Sequence, residues 1–197
     1  MITSELYDLF LKSNGVSTDT RSIVKGSIFF CLKGGNFDGN NFALEALKNG
    51  ANYVVIDNHK LKNPKFIKVD DVLIALQRLS AFHRSKLKNT IFIAITGSNG
   101  KTTTKELLHI VLNKGFKTIS TIGNLNNHIG VPLTLLNIKK KSEFAIVEMG
   151  ANHIGEIDFL TNLIKPDLGY ITNFGKAHLE GFGGLKGVIK GKSELYN

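Results

Sequence analysis

The stretch that most constrains this chain is IFIAITGSNGKTTTKE, residues 91–106: an apolar run, a loop with two glycines, and the polar start of an amphipathic segment. Six consecutive apolar or small residues suit a strand buried on both faces of a parallel sheet. Thr103 to Asn113 then carries Leu107, Leu108, Val111 and Leu112 at helical spacing before a stop at Gly115. Strand, glycine loop and helix form the opening unit of an α/β fold. The loop departs from the common phosphate-loop pattern, because two residues rather than four separate Gly97 from Gly100. It is a phosphate cradle of another kind, or a glycine turn with a lysine in it.

Two further apolar runs, FAIVEMG and LGYITNFG, are also continuous, so they too are expected as strands buried on both faces. In open parallel sheets, ligands bind beyond the carboxyl ends of the strands. The residue types at those ends are consistent with one site: the loop Thr96 to Thr103 after the first run, Glu148 ending the second, and Asn173, Lys176 and His178 after the third. Gly97 and Gly100 let backbone amides turn inward, and the following helix offers its positive N-terminus to an anion. Lys101 adds a point charge. Thr102 and Glu148 are hard oxygen donors of the kind that hold Mg2+. His178 sits in a polar, glycine-rich setting suited to a metal or phosphate, but imidazole favours softer ions than Mg2+, so an anionic partner is expected beside it.

A candidate for that partner lies in LKGVIKGKSELYN. On a helix, Leu185, Val188, Ile189 and Tyr196 form an apolar face with Lys192 in its middle, while Lys186 and Lys190 point away. Lys192 either snorkels to the surface or is desolvated. A desolvated amine loses its proton more readily and can take up carbon dioxide as a carbamate, an oxygen ligand resembling a carboxylate.

Residues 1–85 read as a smaller α/β unit. Helices are expected over residues 2–12 and 40–49, the second closed by Gly50, with strands over 27–32 and 53–57. A longer helix starts at Asp70 and Asp71 and carries Val72, Leu73, Leu76, Leu79 and Phe82 at helical spacing. HRSKLKNT, residues 83–90, is the boundary. The lone Cys31 excludes an internal disulfide and is expected in the core. The formal charge of +9 raises a nucleic-acid reading, yet the lysine clusters KNPKFIK and KKK lack interleaved aromatics. Solvated surface and a cleft for small phosphorylated ligands account for it, so no nucleic-acid partner is expected. No apolar run reaches the ~20 residues of a membrane span, and a cytoplasmic location is expected.

TGSNGKTTTKE, GNLNNHIGVPLT, VEMGANHIGEI, ITNFGKAHLEGFG and KGKSELY together resemble the Mur ligase family, and STDTR with LKGGNFDGNNF resembles its N-terminal UDP-substrate domain. The loop alone would extend to folylpolyglutamate synthases. EMGANHIGEI with AHLEGFG narrows the resemblance to the member that adds D-alanyl-D-alanine to UDP-N-acetylmuramoyl-tripeptide in peptidoglycan synthesis. The resemblance implies a small N-terminal domain (residues 1–85) followed by a P-loop-type parallel-sheet ATP-binding domain (residues 86–197, incomplete). The family's C-terminal domain, which binds the dipeptide, is absent from these residues. A fragment without ligase activity of its own is expected, and a monomer.

The implied chemistry is ATP-dependent amide formation. The tripeptide carboxylate attacks the γ-phosphate to give an acyl phosphate, and the dipeptide amine displaces phosphate through a tetrahedral intermediate. By the same resemblance Thr96, Gly97, Ser98, Asn99, Gly100, Lys101, Thr102 and Thr103 bind ATP, with Asn173 near the nucleotide. Thr102 and Glu148 hold one Mg2+; His178 and carbamylated Lys192 hold the second. Lys101, Glu148, His178 and Lys192 are the implied catalytic set. Asn126, Asn127 and His128 face the muramoyl substrate, and Thr20, Arg21, Gly34 and Asp38 contact the uridine diphosphate. Asn40 stands where the resemblance leads one to expect histidine. Three rival readings are a sister ligase, a folate polyglutamylating enzyme, and a nucleotide-binding module without catalysis, against which the retention of Glu148, His178 and Lys192 argues.

Overall fold

A computed structural model describes residues 2–197. It divides into two compact units, one ending at His83 and the other running from Arg84 to Asn197.

The first unit runs α1 (Thr3–Leu11), β1 (Val16–Ser17), β2 (Ile28–Phe30), β3 (Lys33–Gly34), β4 (Phe37–Asp38), α2 (Ala43–Lys48), β5 (Tyr53–Ile56), β6 (Phe66–Lys68) and α3 (Val72–Lys86), whose last residues belong to the second unit. A parallel sheet of order β1-β2-β5-β6 is its frame, and β3 with β4 forms a separate antiparallel hairpin. The central strands are apolar at every position because both faces are covered: Ile28, Phe29, Phe30, Val54, Val55 and Ile56 are all buried. Phe29, Cys31, Ala43, Ala46, Val54 and Ile56 share one core cluster. Burial, helped by the negative charges of Asp38 and Asp57, pushes the Cys31 thiol up to about 12. The helix expected over 40–49 begins later. Asp38 accepts from the Asn40 amide at 2.9 Å, turning residues 39–42 into a 3-10 turn before α2 starts at Ala43.

The second unit runs β7 (Ile91–Thr96), α4 (Lys101–Leu112), β8 (Thr118–Ser120), α5 (Gly130–Asn137), β9 (Phe144–Glu148), α6 (Glu156–Ile164), β10 (Leu168–Ile171), α7 (Leu179–Phe182) and α8 (Leu185–Ser193), closed by a 3-10 turn over Glu194–Tyr196. Its sheet is wholly parallel, in the order β10-β7-β9-β8. Ile95 pairs with Glu148 and with Tyr170, so the three longest strands end at one rim. Leu108 and Leu112 of α4 pack on Ile93, Ile95 and Ile146.

Three further expectations differ from the structure. β10 is an edge strand paired only with β7, and Leu168 and Tyr170 are 57% and 51% exposed; a continuous apolar run does not mark a strand covered on both faces here. On α4, Leu107 and Val111 lie outward at 60% and 67% exposure, because the inward face is taken by Lys105, Leu108 and Leu112. On the last helix the buried stripe is Val188, Gly191 and Lys192, while Leu185 and Ile189 are about half exposed and Tyr196 falls in the 3-10 turn. Among the described residues no helix is long and apolar enough to cross a membrane.

Candidate functional site

The loop after β7 is built from both ends. Gly97 has φ +141°, outside the range of most side chains, and a Cβ there would collide with the Thr172 hydroxyl. Gly100, at φ +77°, is the left-handed residue that starts α4. Between them the loop is tied to the segment following β10. The Ser98 amide donates to the Asn173 carbonyl at 3.1 Å, and the Asn99 amide to Asn173 Oδ1 at 3.1 Å. Asn173 Nδ2 and the Thr172 hydroxyl both donate back to the Asn99 carbonyl, at 3.1 and 2.6 Å. The Gly175 amide reaches the Ser98 hydroxyl at 2.9 Å, and that hydroxyl donates to the Gly175 carbonyl at 3.1 Å. Asn173 therefore shapes the loop directly. Thr96, fully buried, donates to the Met149 carbonyl at 2.9 Å and ties the loop's base to the end of β9. Thr103 lies exposed on the first turn of α4.

Lys101 folds its ammonium into this loop, 2.8 Å from the Gly97 carbonyl and 3.3 Å from that of Ser98. Burial pushes its pKa below that of an ordinary lysine, with the Glu148 charge opposing. Glu148 is only 1% exposed, and both its oxygens are engaged: Thr102 Oγ1 donates to Oε2 at 3.0 Å and Asn126 Nδ2 to Oε1 at 2.8 Å. Two hard oxygen donors thus meet beside the loop lysine, which is the donor chemistry Mg2+ takes.

Lys105, which the apolar pattern of the sequence does not single out, is fully buried. Its ammonium donates to the Thr121 carbonyl at 2.7 Å, pairs with Glu106 at 3.0 Å and lies 4.0 Å from Glu148 Oε2. The Thr121 hydroxyl accepts from the Glu148 amide at 3.0 Å. A usable signal existed: Lys105 follows Lys101 by one helical turn, and such residues share a helix face.

Lys192 is 2% exposed. Its amine donates to the Ala151 carbonyl at 3.3 Å and stands 5.3 Å over the ring of Phe182. Burial first, and the charge of Lys101 second, push it down to about 8, against the opposing pull of Glu156 and Glu194. His178 is exposed and starts α7 in a left-handed conformation, φ +54°. Among the described residues no hydrogen bond or ion pair joins it to Lys192, and no three His, Cys, Asp or Glu side chains form a metal-sized cluster.

The remaining residues divide. Asn126 turns to Glu148, whereas Asn127 Oδ1 accepts the amides of Ile129 and Gly130 at 3.0 and 2.9 Å and so satisfies the first amide of α5. His128 is exposed on the same turn. In the first unit, a pocket of about 610 Å3 is lined by Asp19, Thr20 and Arg21 together with Phe29, Phe37 and Phe42. Phe37 and Phe42 are stacked, with centroids 5.4 Å apart; both belong to LKGGNFDGNNF, where no local pattern singles out the rings. Arg21 pairs with Asp19 at 2.6 Å. Gly34 and Asp38 lie on the hairpin that carries Phe37. Asn40 is buried and structural: its Nδ2 donates to Asp38 and Asp57, both at 2.7 Å, while its Oδ1 accepts from the Asp57 and Asn58 amides at 3.3 and 3.2 Å.

A parallel sheet, a glycine loop opening a helix, and a buried carboxylate at the next strand end put the second unit in the class of phosphate-loop α/β domains. The family models narrow this. Residues 95–197 match the Mur ligase middle domain, and residues 12–87 match the model described as "Mur ligase family, catalytic domain". The chain belongs to the Mur ligase family. It is 42% identical over 187 residues to the UDP-N-acetylmuramoyl-tripeptide–D-alanyl-D-alanine ligase of Bacillus subtilis, covering 93% of this chain and 41% of that protein. The Escherichia coli enzyme of the same name is 38% identical, over 100% of this chain and 43% of its own. Among solved structures, MurF from Acinetobacter baumannii superposes with a TM-score of 0.85 at 40% identity, covering 92% of this chain and 40% of that one. MurF ligase from Thermotoga maritima in complex with ADP gives 0.84 at 32%, covering 94% and 43%. The chain thus spans well under half the length of these relatives.

Proposed function

We propose that this chain comprises the UDP-substrate and ATP-binding portions of a ligase that joins D-alanyl-D-alanine to UDP-N-acetylmuramoyl-tripeptide. The observation that carries the reading is the convergence of Lys101, Thr102 and Glu148 at one strand rim. The names of the Bacillus and Escherichia relatives and the ADP-bound Thermotoga ligase support the substrates and the nucleotide.

In this reading the glycine loop and the first-turn amides of α4 cradle the ATP phosphates, and Lys101 neutralises charge that builds on the transferred group. Thr102 and Glu148 offer oxygens for one Mg2+, which would withdraw charge from the phosphates when bound. Asn126 and Lys105 hold the Glu148 carboxylate in orientation. Lys192, pushed down to about 8, keeps a neutral fraction near neutral pH. Its nitrogen attacks carbon dioxide, a C–N bond forms as one C=O π pair moves to oxygen, and a proton leaves to solvent; the resulting carbamate and His178 would be the donors for a second Mg2+. The first unit's pocket takes the uridine diphosphate, with Thr20 and Arg21 on its wall and Gly34 and Asp38 on the hairpin that carries Phe37. The protein acts as a cytoplasmic monomer.

The test is phosphate release by the full-length polypeptide containing this chain, with ATP and Mg2+. Turnover is expected with UDP-muramoyl-tripeptide plus D-alanyl-D-alanine, and none from residues 1–197 alone. Preference for the dipeptide precursor or for a folate overturns the reading in favour of a related ligase.

A further inference from the structure

The stretch HLEGFGGLKGVIKGK, residues 178–192, contains five glycines, and close approach explains three of them. A Cβ on Gly187 would collide with the Phe182 carbonyl, and one on Gly191 would lie 2.5 Å from the edge of the Phe182 ring. A Cβ on Gly181 would strike the Asn152 carbonyl, in the loop that follows β9. The single turn α7 is therefore wedged between that loop and α8. Phe182, 3% exposed, lies against the face that Gly187 and Gly191 leave open. The same ring stands 5.3 Å beneath the Lys192 amine. The turn is closed by the Phe182 amide on the His178 carbonyl at 3.2 Å and the Gly184 amide on the Leu179 carbonyl at 2.8 Å. His178 begins this turn and Lys192 ends the helix against which it docks.

We propose that Phe182 is a positioning residue: seated on the glycine face of α8, it locks the turn bearing His178 in place and walls the chamber of the Lys192 amine. The steric logic is that of small residues spaced four apart, which let a neighbouring element approach a helix backbone closely. An aromatic face beside an amine also excludes water while tolerating positive charge. The role assigned to the two flanking residues rests on the second-metal reading under Proposed function; the docking itself does not.

The test uses residues 1–197 with Phe182→Leu and, separately, Gly191→Ala. Amide hydrogen exchange is read at residues 178–184 and at β7 and β9. In the unaltered chain the Phe182 and Gly184 amides are expected to be protected. Each variant should lower that protection about 10-fold or more while β7 and β9 stay protected, the signature of local rather than global opening. Protection of 178–184 that is unchanged in both variants, or missing from the unaltered chain, overturns the proposal. The second readout is the carbamate carbon signal in 13C-bicarbonate, which a role confined to stability would not move. It should fall several-fold in Phe182→Leu at temperatures where the sheet is intact; an undiminished signal overturns the wall around Lys192. If the unaltered chain forms no carbamate, the second-metal reading fails, and the exchange data still decide the docking.

Discussion

The two units build four-stranded parallel sheets of similar size and treat charge at the strand ends in opposite ways. In the first, charges meet partners. Burial raises the Asp57 pKa, but hydrogen bonds from Lys33 and Asn40 outweigh it and leave the carboxyl below its ordinary value; the Lys33 ammonium, 2.7 Å away, is held above its own. In the second, Lys101 and Lys192 are desolvated and pushed down, while Lys105, fully buried, is paired with Glu106. The sheet architecture alone does not set this difference. Neutralised pairs hold a hairpin in shape, whereas a loop cation such as Lys101, kept partly out of water, attracts an incoming phosphate strongly.

The largest effect expected to break this comparison is at Glu148. Glu148→Ala in the full-length protein should lower kcat by roughly 10^3-fold, and it should destabilise residues 1–197 by about 3 kcal/mol because Lys105 loses a buried partner. Turnover assays and urea melts measure the two separately. Lys105→Ala comes next, with a cost of about 2–4 kcal/mol from the cavity and the abandoned Glu148 and Thr121 contacts. If the melt of this variant matched that of the unaltered chain, the buried lysine would not hold the rim together.

The pH dependence separates the units by window, with the same sign in each. Lys192 titrates at about 8 when folded, against ~10.4 when unfolded. Below the folded value both states are charged and burial penalises the fold in full. Between the two values the folded state has released its proton while the unfolded state retains it, so stability rises with pH across that window. In bicarbonate-free buffer Lys192→Met should remove the rise and gain about 1–2 kcal/mol at neutral pH, allowing for solvent screening. Asp57 acts in the same direction in an acid window: its contribution is present above ~3.9 and is lost as pH falls through the depressed folded value. Asp57→Asn should therefore blunt acid unfolding of the first unit and leave the alkaline rise untouched. The smallest effect is Arg21→Gln, at an exposed pair, which should leave the melting temperature unchanged within error. If it weakens binding of uridine diphosphate to residues 1–197, measured calorimetrically, the pocket assignment gains its first direct support.

Much of the site was legible because its signals are local. Gly97 and Gly100 mark a turn, Lys101 and Thr102 follow on the first helical turn, and Glu148 ends an apolar run, so each could be found from a short window. Lys192 was legible from helical geometry alone, as a charge on an apolar face, although the stripe around it proved to be Val188 and Gly191 rather than Ile189 and Tyr196. Lys105 was missed because Leu107 and Val111 made the opposite face of α4 look like the inner one. The role of Asn40, standing where histidine was expected, is not legible locally, because its side chain bridges Asp38 and Asp57, the latter 17 residues further on. The pocket wall of Phe37 and Phe42 left no periodic trace, since the two rings come from a hairpin and a 3-10 turn.

The sequence by itself determined the order of strand, loop and helix, the loop's phosphate-type chemistry and the family, because these depend on backbone preferences and residue types within a few positions of one another. Only the tertiary structure decided which face of α4 is buried, that β10 is an edge, that Lys105 stands behind Glu148, and that Phe182 fills the space left by Gly187 and Gly191. Each of these depends on which distant segment arrives at a surface, and desolvation acts on a side chain only once that neighbour is in place.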